Sequence, residues 1–192
     1  MARTYKLKRR AARQSETRQR IVEAAVELHT TLGPARTSIL AIAERAGVER
    51  PTVYRHFPNM DDLFTACSTH YREQNPQPDP KPWLQIREPE ARLRRALGEI
   101  YAYYGARESE LWKIFRDIED MPAVRRVAEE DIQHHLRMLD VLASAWPYAK
   151  DKKLRAALGH AADFFAWRSL RRQGLTNEQT AEMMIDLVKA AQ

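Results

Sequence analysis

Residues 37–57 read Thr-Ser-Ile-Leu-Ala-Ile-Ala-Glu-Arg-Ala-Gly-Val-Glu-Arg-Pro-Thr-Val-Tyr-Arg-His-Phe. Thr37 is suited to cap a short helix near 38–45, and a second short helix is expected over about 50–56. Between them Ala46-Gly47-Val48 makes a tight turn, with Gly47 free to take the left-handed conformation that reverses the chain. The small side chain of Ala43 lets the two helices cross closely. Ile42, Val48, Val53 and Phe57 supply the apolar lock. Arg50, Pro51, Thr52, Tyr54, Arg55 and His56 are left for the remaining faces of the second helix. A short helix rich in Arg, Thr and Tyr suits the major groove of DNA. Pro51 falls in its first turn, where a missing N–H does no harm. An ordinary helical hairpin in a larger core would not call for a cationic second helix.

Working outward, a preceding helix is expected near 17–32, with Ile21, Ala25, Leu28 and Leu32 on one face and Gly33 ending it. Asn59 caps a following helix whose first turn holds Asp61 and Asp62, where the helix dipole favours anions. The first 20 residues carry eight Lys or Arg against the single acid Glu16, so the whole formal excess of +6 lies in this tail. Residues 1–14 read as a disordered basic arm, and Lys6, Lys8, Arg9, Arg10, Arg13 and Arg18 as its contacts to a DNA backbone.

Ile42-Ala43-Glu44-Arg45-Ala46-Gly47-Val48, Thr52-Val53-Tyr54-Arg55-His56-Phe57 and Asp62-Leu63, with Ile21 and Ala24-Ala25 before them, resemble the tetracycline-repressor (TetR) family of bacterial regulators over about 17–66. The resemblance implies that Tyr54 and His56 hold phosphates, as does Thr37 or Ser38, and that Arg50, Pro51, Thr52 and Arg55 face bases. Two positions depart from the family pattern. Glu49 stands where a small hydroxyl residue often caps the reading helix, and Met60 where a phosphate-binding lysine is common.

Four alternating prolines in Asn75-Pro76-Gln77-Pro78-Asp79-Pro80-Lys81-Pro82 cannot continue a helix and mark a linker. The expected organisation is therefore an arm (1–14), a helix-turn-helix domain (15–58), a connecting helix (59–74), a Pro-rich linker (75–88) and a helical ligand-binding and dimerisation domain (89–192), all-α throughout. Helices are expected near 89–105, 109–119, 122–145, 151–173 and 177–191. On 151–173, Leu154, Leu158, Ala161 and Phe165 share one face of an apolar surface covering over half the circumference. With Met184, Leu187 and Val188 of the last helix it suits a four-helix bundle between two copies of the chain. Such a dimer would set its reading helices one DNA turn apart, matching a palindromic operator. Tyr101, Tyr104, Trp112, Phe115, His134, Met138, Phe164 and Trp167 are the candidate walls of a pocket for a small hydrophobic or aromatic effector, although any one of them taken singly reads more readily as core filling.

Hydrophobic residues make up 44% and charged ones 30% of the chain, a globular rather than disordered balance, and no apolar run approaches a membrane span. No secretory signal is evident, so a cytoplasmic location is expected. The single Cys67 rules out an internal disulfide and reads as a small buried hydrophobe. No phosphate loop, nucleophile elbow, metal-ligand spacing or catalytic triad stands out, and neither enzyme activity, cofactor nor metal is expected. The expected function is an effector-released transcriptional repressor. A constitutive DNA-binding or architectural protein without an effector is the alternative.

Overall fold

The computed structural model describes residues 2–118 and 121–191, which contain helices and no strand. In chain order the α-helices are α1 (Ala2–Thr31), α2 (Ile39–Ala46), α3 (Arg50–His56), α4 (Met60–Gln74), α5 (Pro89–Asp117), α6 (Pro122–Val127), α7 (Glu129–Ala143), α8 (Lys152–Ala161), α9 (Phe164–Arg172) and α10 (Asn177–Ala190). No described helix is long and apolar enough to cross a membrane. The chain divides into two units, Met1–Pro76 with Ser109–Ala128 and Gln77–Glu108 with Glu129–Gln192.

The first unit packs Ile21, Val22 and Ala25 of α1 against Ile42, Ala43 and Ala46 of α2, Val53 of α3, Phe57, and Leu63, Phe64 and Cys67 of α4, with Val124 of α6 joining them. Its helix ends are set locally. The Ser38 hydroxyl accepts the Ala41 N–H at 3.1 Å and Asn59 Oδ1 accepts the Asp62 N–H at 2.8 Å. Ser38 rather than Thr37 is thus the cap of α2, because the Thr37 hydroxyl donates to the Gly33 carbonyl at 2.9 Å. Gly47 closes α2 at φ 65 and ψ 41, the left-handed conformation expected of it.

The basic segment is helical, not disordered: α1 runs unbroken from Ala2. Its Arg, Lys, Gln and Ala residues are strong helix formers, no Gly or Pro interrupts them, and charge density alone does not prevent a helix that continues a packed one. The division of the chain also differs from the expected one. The end of α5 joins the first unit because Lys113 Nζ donates to the Thr30 carbonyl at 3.1 Å, Arg116 Nη2 to the Leu32 carbonyl at 3.4 Å, and the Ala35 N–H to Asp117 Oδ2 at 3.0 Å. The first two satisfy carbonyls at the C-terminus of α1, and the third gives the Ala35 N–H an acceptor. Within α5, Arg107 departs from helical geometry at φ −133 and ψ 19, two residues past the expected break at Gly105.

In the second unit the Pro-rich segment is anchored. Lys81–Gln85 form a 3₁₀ turn that buries Trp83 completely, and its indole donates to Glu99 Oε2 at 2.8 Å. Buried Arg92 donates from Nε to the Ile86 carbonyl and from Nη1 to the Val141 carbonyl, both at 2.8 Å, so its charge rests on the C-terminal end of α7. The expected helix 122–145 is interrupted at Ala128, between α6 and α7. The expected helix 151–173 is two helices. The Tyr101 and Tyr104 hydroxyls take the Ala161 and Ala162 carbonyls at 2.7 and 2.8 Å, and Asp163 Oδ1 starts α9 by accepting the Ala166 N–H at 2.7 Å.

Candidate nucleic-acid interface

The α2–turn–α3 pair presents its candidate reading side chains because the opposite face of α3 is held. Val53 and Phe57 are buried, while Arg50, Pro51, Tyr54 and Arg55 are exposed and Thr52 and His56 half-buried. Arg50 and Tyr54, one turn apart, support each other. The guanidinium sits 5.5 Å from the ring centroid and Nη2 donates to the phenol oxygen at 3.1 Å. Arg55 Nη2 reaches Thr52 Oγ1 at 3.5 Å. Arg18 of α1 lies over the Phe57 ring at 4.6 Å. Glu49 precedes α3 without making a side-chain cap, leaving the departure seen in the sequence uncompensated there.

Burial first, then the charges of Arg55 and Arg18, hold His56 below the ordinary histidine pKa, so its ring is neutral at neutral pH. Arg9, Arg10, Arg13, Gln14 and Thr17 of α1 and Arg55 and His56 of α3 line one open groove of about 570 Å³. The arm thereby meets the end of the reading helix. Lys8 is exposed on the same helix; the Lys6 side chain lies outside the described residues.

The sequence did not point to the brace from α5. Gly33 has φ 100, and a Cβ there would come within 2.5 Å of Arg116 Nη2 and 2.6 Å of Asp117 Oδ2. Asp117 is buried. Burial alone would raise its pKa, but the Arg116 guanidinium and the Ala35 N–H outweigh that and hold it below the usual carboxylate range. Arg126 of α6 similarly grips Asp61 of α4 with both carboxylate oxygens, at 2.7 and 2.6 Å. The sequence separation of these partners hides them from local patterning.

Residues 21–67 match the family described as bacterial regulatory proteins, tetR family. Over these residues the chain is similar to the TetR family. The HTH-type transcriptional regulator AcrR of Shigella flexneri is 44% identical over 50 residues, 26% of this chain and 23% of that protein. The chain thus spans about a quarter of the length of the curated relatives it matches first. Among solved structures, a TetR-like transcriptional regulator from Rhodococcus sp. RHA1 shares the fold at TM-score 0.60 and 20% identity, over 90% of this chain and 93% of that one. The multidrug binding protein EbrR, solved with imidazole, does so at TM-score 0.58 and 24% identity, over 90% and 89%.

The expected pocket residues do not form one set. Tyr101, Tyr104, Phe164 and Trp167 come together in the second unit, with ring centroids 5.3 Å apart for Tyr104–Phe164, 5.6 Å for Tyr104–Trp167 and 5.7 Å for Phe164–Trp167. All four are buried, and the Trp167 indole donates to Asn177 Oδ1 at 3.0 Å. Met138 is buried on α7 and His134 Nε2 lies 2.9 Å from the Pro78 carbonyl, whereas Trp112 and Phe115 belong to the first unit. The expected dimer face also changes. Leu154, Leu158, Ala161, Met184 and Val188 are buried within the chain itself, because α8 packs against both α7 and α10. Phe165 and Leu187 remain exposed, at 44% and 43%, together with Met183 at 53%.

Proposed function

We propose that this protein is a homodimeric, sequence-specific DNA-binding transcriptional regulator, released from a palindromic operator by a small hydrophobic or aromatic effector. The observation that carries it is the reading helix, with Arg50, Pro51, Thr52 and Arg55 free on one side and Val53 and Phe57 locked into the core on the other. Arg50 and Arg55 would fork onto guanine edges, and Pro51 with the Thr52 methyl would meet thymine methyls. Tyr54, His56 and the Thr37–Ser38 corner would hold phosphates, with Lys6, Lys8, Arg9, Arg10, Arg13 and Arg18 adding backbone affinity. The exposed Phe165, Met183 and Leu187 of α9 and α10 are the surface such a dimer would bury. EbrR bound to imidazole supports a small-ligand site in this fold, and the Tyr101–Tyr104–Phe164–Trp167 quartet is the candidate wall here. Neither catalysis nor a cofactor is part of this reading, and its setting is the cytoplasm.

The close packing of that quartet favours a second reading, a constitutive DNA binder without an effector. Selection of genomic fragments on the purified chain at physiological salt, followed by sequencing, separates these possibilities from a third. A palindrome with half-sites one turn apart is the expected result. Weak, sequence-blind recovery would sink the regulator. An operator whose affinity no small aromatic compound alters leaves the constitutive form.

A further inference from the structure

Every ionisable residue lining the groove between α1 and α3 is a base: Arg9, Arg10 and Arg13 on one wall, Arg55 and His56 on the other. Among the described residues no carboxylate lines it, and Arg9, Arg10, Arg13 and Arg55 take part in no ion pair. Four guanidiniums facing one cleft repel each other. On α1, Arg9, Arg13 and Thr17 recur at four-residue steps, as do Arg10 and Gln14, so the wall offers donors about every 6 Å along a rigid axis. Regularly spaced cations along a straight, stiff edge fit a regularly spaced polyanion.

We infer that this groove is a clamp for consecutive phosphates of one DNA strand, with the N-terminal part of α1 acting as a rigid helical jaw beside the reading helix rather than as a tail threaded into the minor groove. The inference rests on the DNA-binding reading above and adds to it the grip, the strand and the form of the arm. The clamp grips backbone beyond the base-read segment, so it carries affinity and salt dependence but no sequence preference.

The test compares three full-length chains on a long duplex by fluorescence anisotropy across a salt series. They are the unaltered protein, the triple variant Arg9→Gln, Arg10→Gln, Arg13→Gln, and Ala12→Pro. The triple variant removes charge and keeps the helix; Ala12→Pro keeps the charge and breaks the helix well before the core begins at Ile21. Removing the three charges is expected to reduce the slope of log K against log salt by about 2 to 3 for each bound protomer, at roughly 0.9 per phosphate contact. Ala12→Pro is expected to lose most of the same slope, because a clamp needs its wall aligned, while both variants keep the selected sequence preference. Phosphate ethylation should interfere with binding at sites flanking each half-site in the unaltered protein only. A full slope in Ala12→Pro, or interference from adenine N3 methylation in place of flanking phosphates, would overturn the rigid jaw. Inorganic tripolyphosphate that binds through the three arginines, with no change of DNA slope between chains, would assign the groove to a free polyanion and overturn the strand clamp. If the unaltered chain selects no sequence, the regulator reading fails. The slopes on arbitrary duplex still decide the clamp separately.

Discussion

His29 carries its imidazole into the apolar core of the first unit, stacked on Phe64 at 5.1 Å and with Nδ1 3.5 Å from the Cys67 sulfur. Burial lowers its pKa to about 4 and pushes the Cys67 thiol up to about 12. The thiol is therefore a packing group and not a reactive one. The folded state holds His29 neutral while the unfolded chain protonates it near 6.5, so stability is full above pH 6.5 and falls as the pH drops toward 4. That fall amounts to about 3 kcal/mol from this residue. Urea titrations at pH 7 and pH 5 should show about 2 kcal/mol of it, and His29→Phe should remove most of the difference; an unchanged difference would contradict it. Gly33 makes a second demand at this scale. Gly33→Ala must strain a positive φ and push into Arg116 and Asp117, at an expected cost of about 1–3 kcal/mol read as a lower Tm. The Gly33 turn was legible as a helix stop; its close approach to a residue more than eighty positions away was not.

Among the elements, those set by their own ends were readable. α3 appears where the Gly47 turn and Pro51 put it, and α4 begins at the Asn59 cap. Elements decided by distant partners were not. Asp163 lies in an apolar helical pattern, yet its cap and the two tyrosine hydroxyls split the stretch into α8 and α9. Removing that cap with Asp163→Ala should lower the stability of the second unit by about 1 kcal/mol without changing operator affinity, measurable by thermal melting beside anisotropy. The Pro-rich stretch gave its lack of α-helix but not its anchoring, which depends on Trp83 finding Glu99. Similarly, the arm showed its charge in the sequence but not its helicity, because charge density and helix propensity pull opposite ways and the packed turns of α1 from Ile21 onward settle the contest.

For the molecule as a whole, apolar periodicity identified the helices of the second unit but could not say whether a broad apolar face meets another helix of the same chain or a second copy. The face divides, since Leu154 and Leu158 turn inward while Phe165, Met183 and Leu187 stay exposed. If the exposed set joins two copies, Phe165→Glu with Leu187→Glu should weaken the dimer by about 2 kcal/mol or more, at least roughly thirtyfold in Kd, and leave the fold intact. Sedimentation equilibrium would read it, and an unchanged association would move the interface elsewhere. The brace that Lys113, Arg116 and Asp117 supply to α1, and the place of Val124 in the reading unit's core, bear on how such a protein can be taken apart. A fragment cut at the prolines would carry every residue proposed to face bases and yet leave part of its own wall behind. The reading head is not a cassette to be spliced onto a foreign sensor at the obvious seam; a working graft would have to bring residues 109–128 with it.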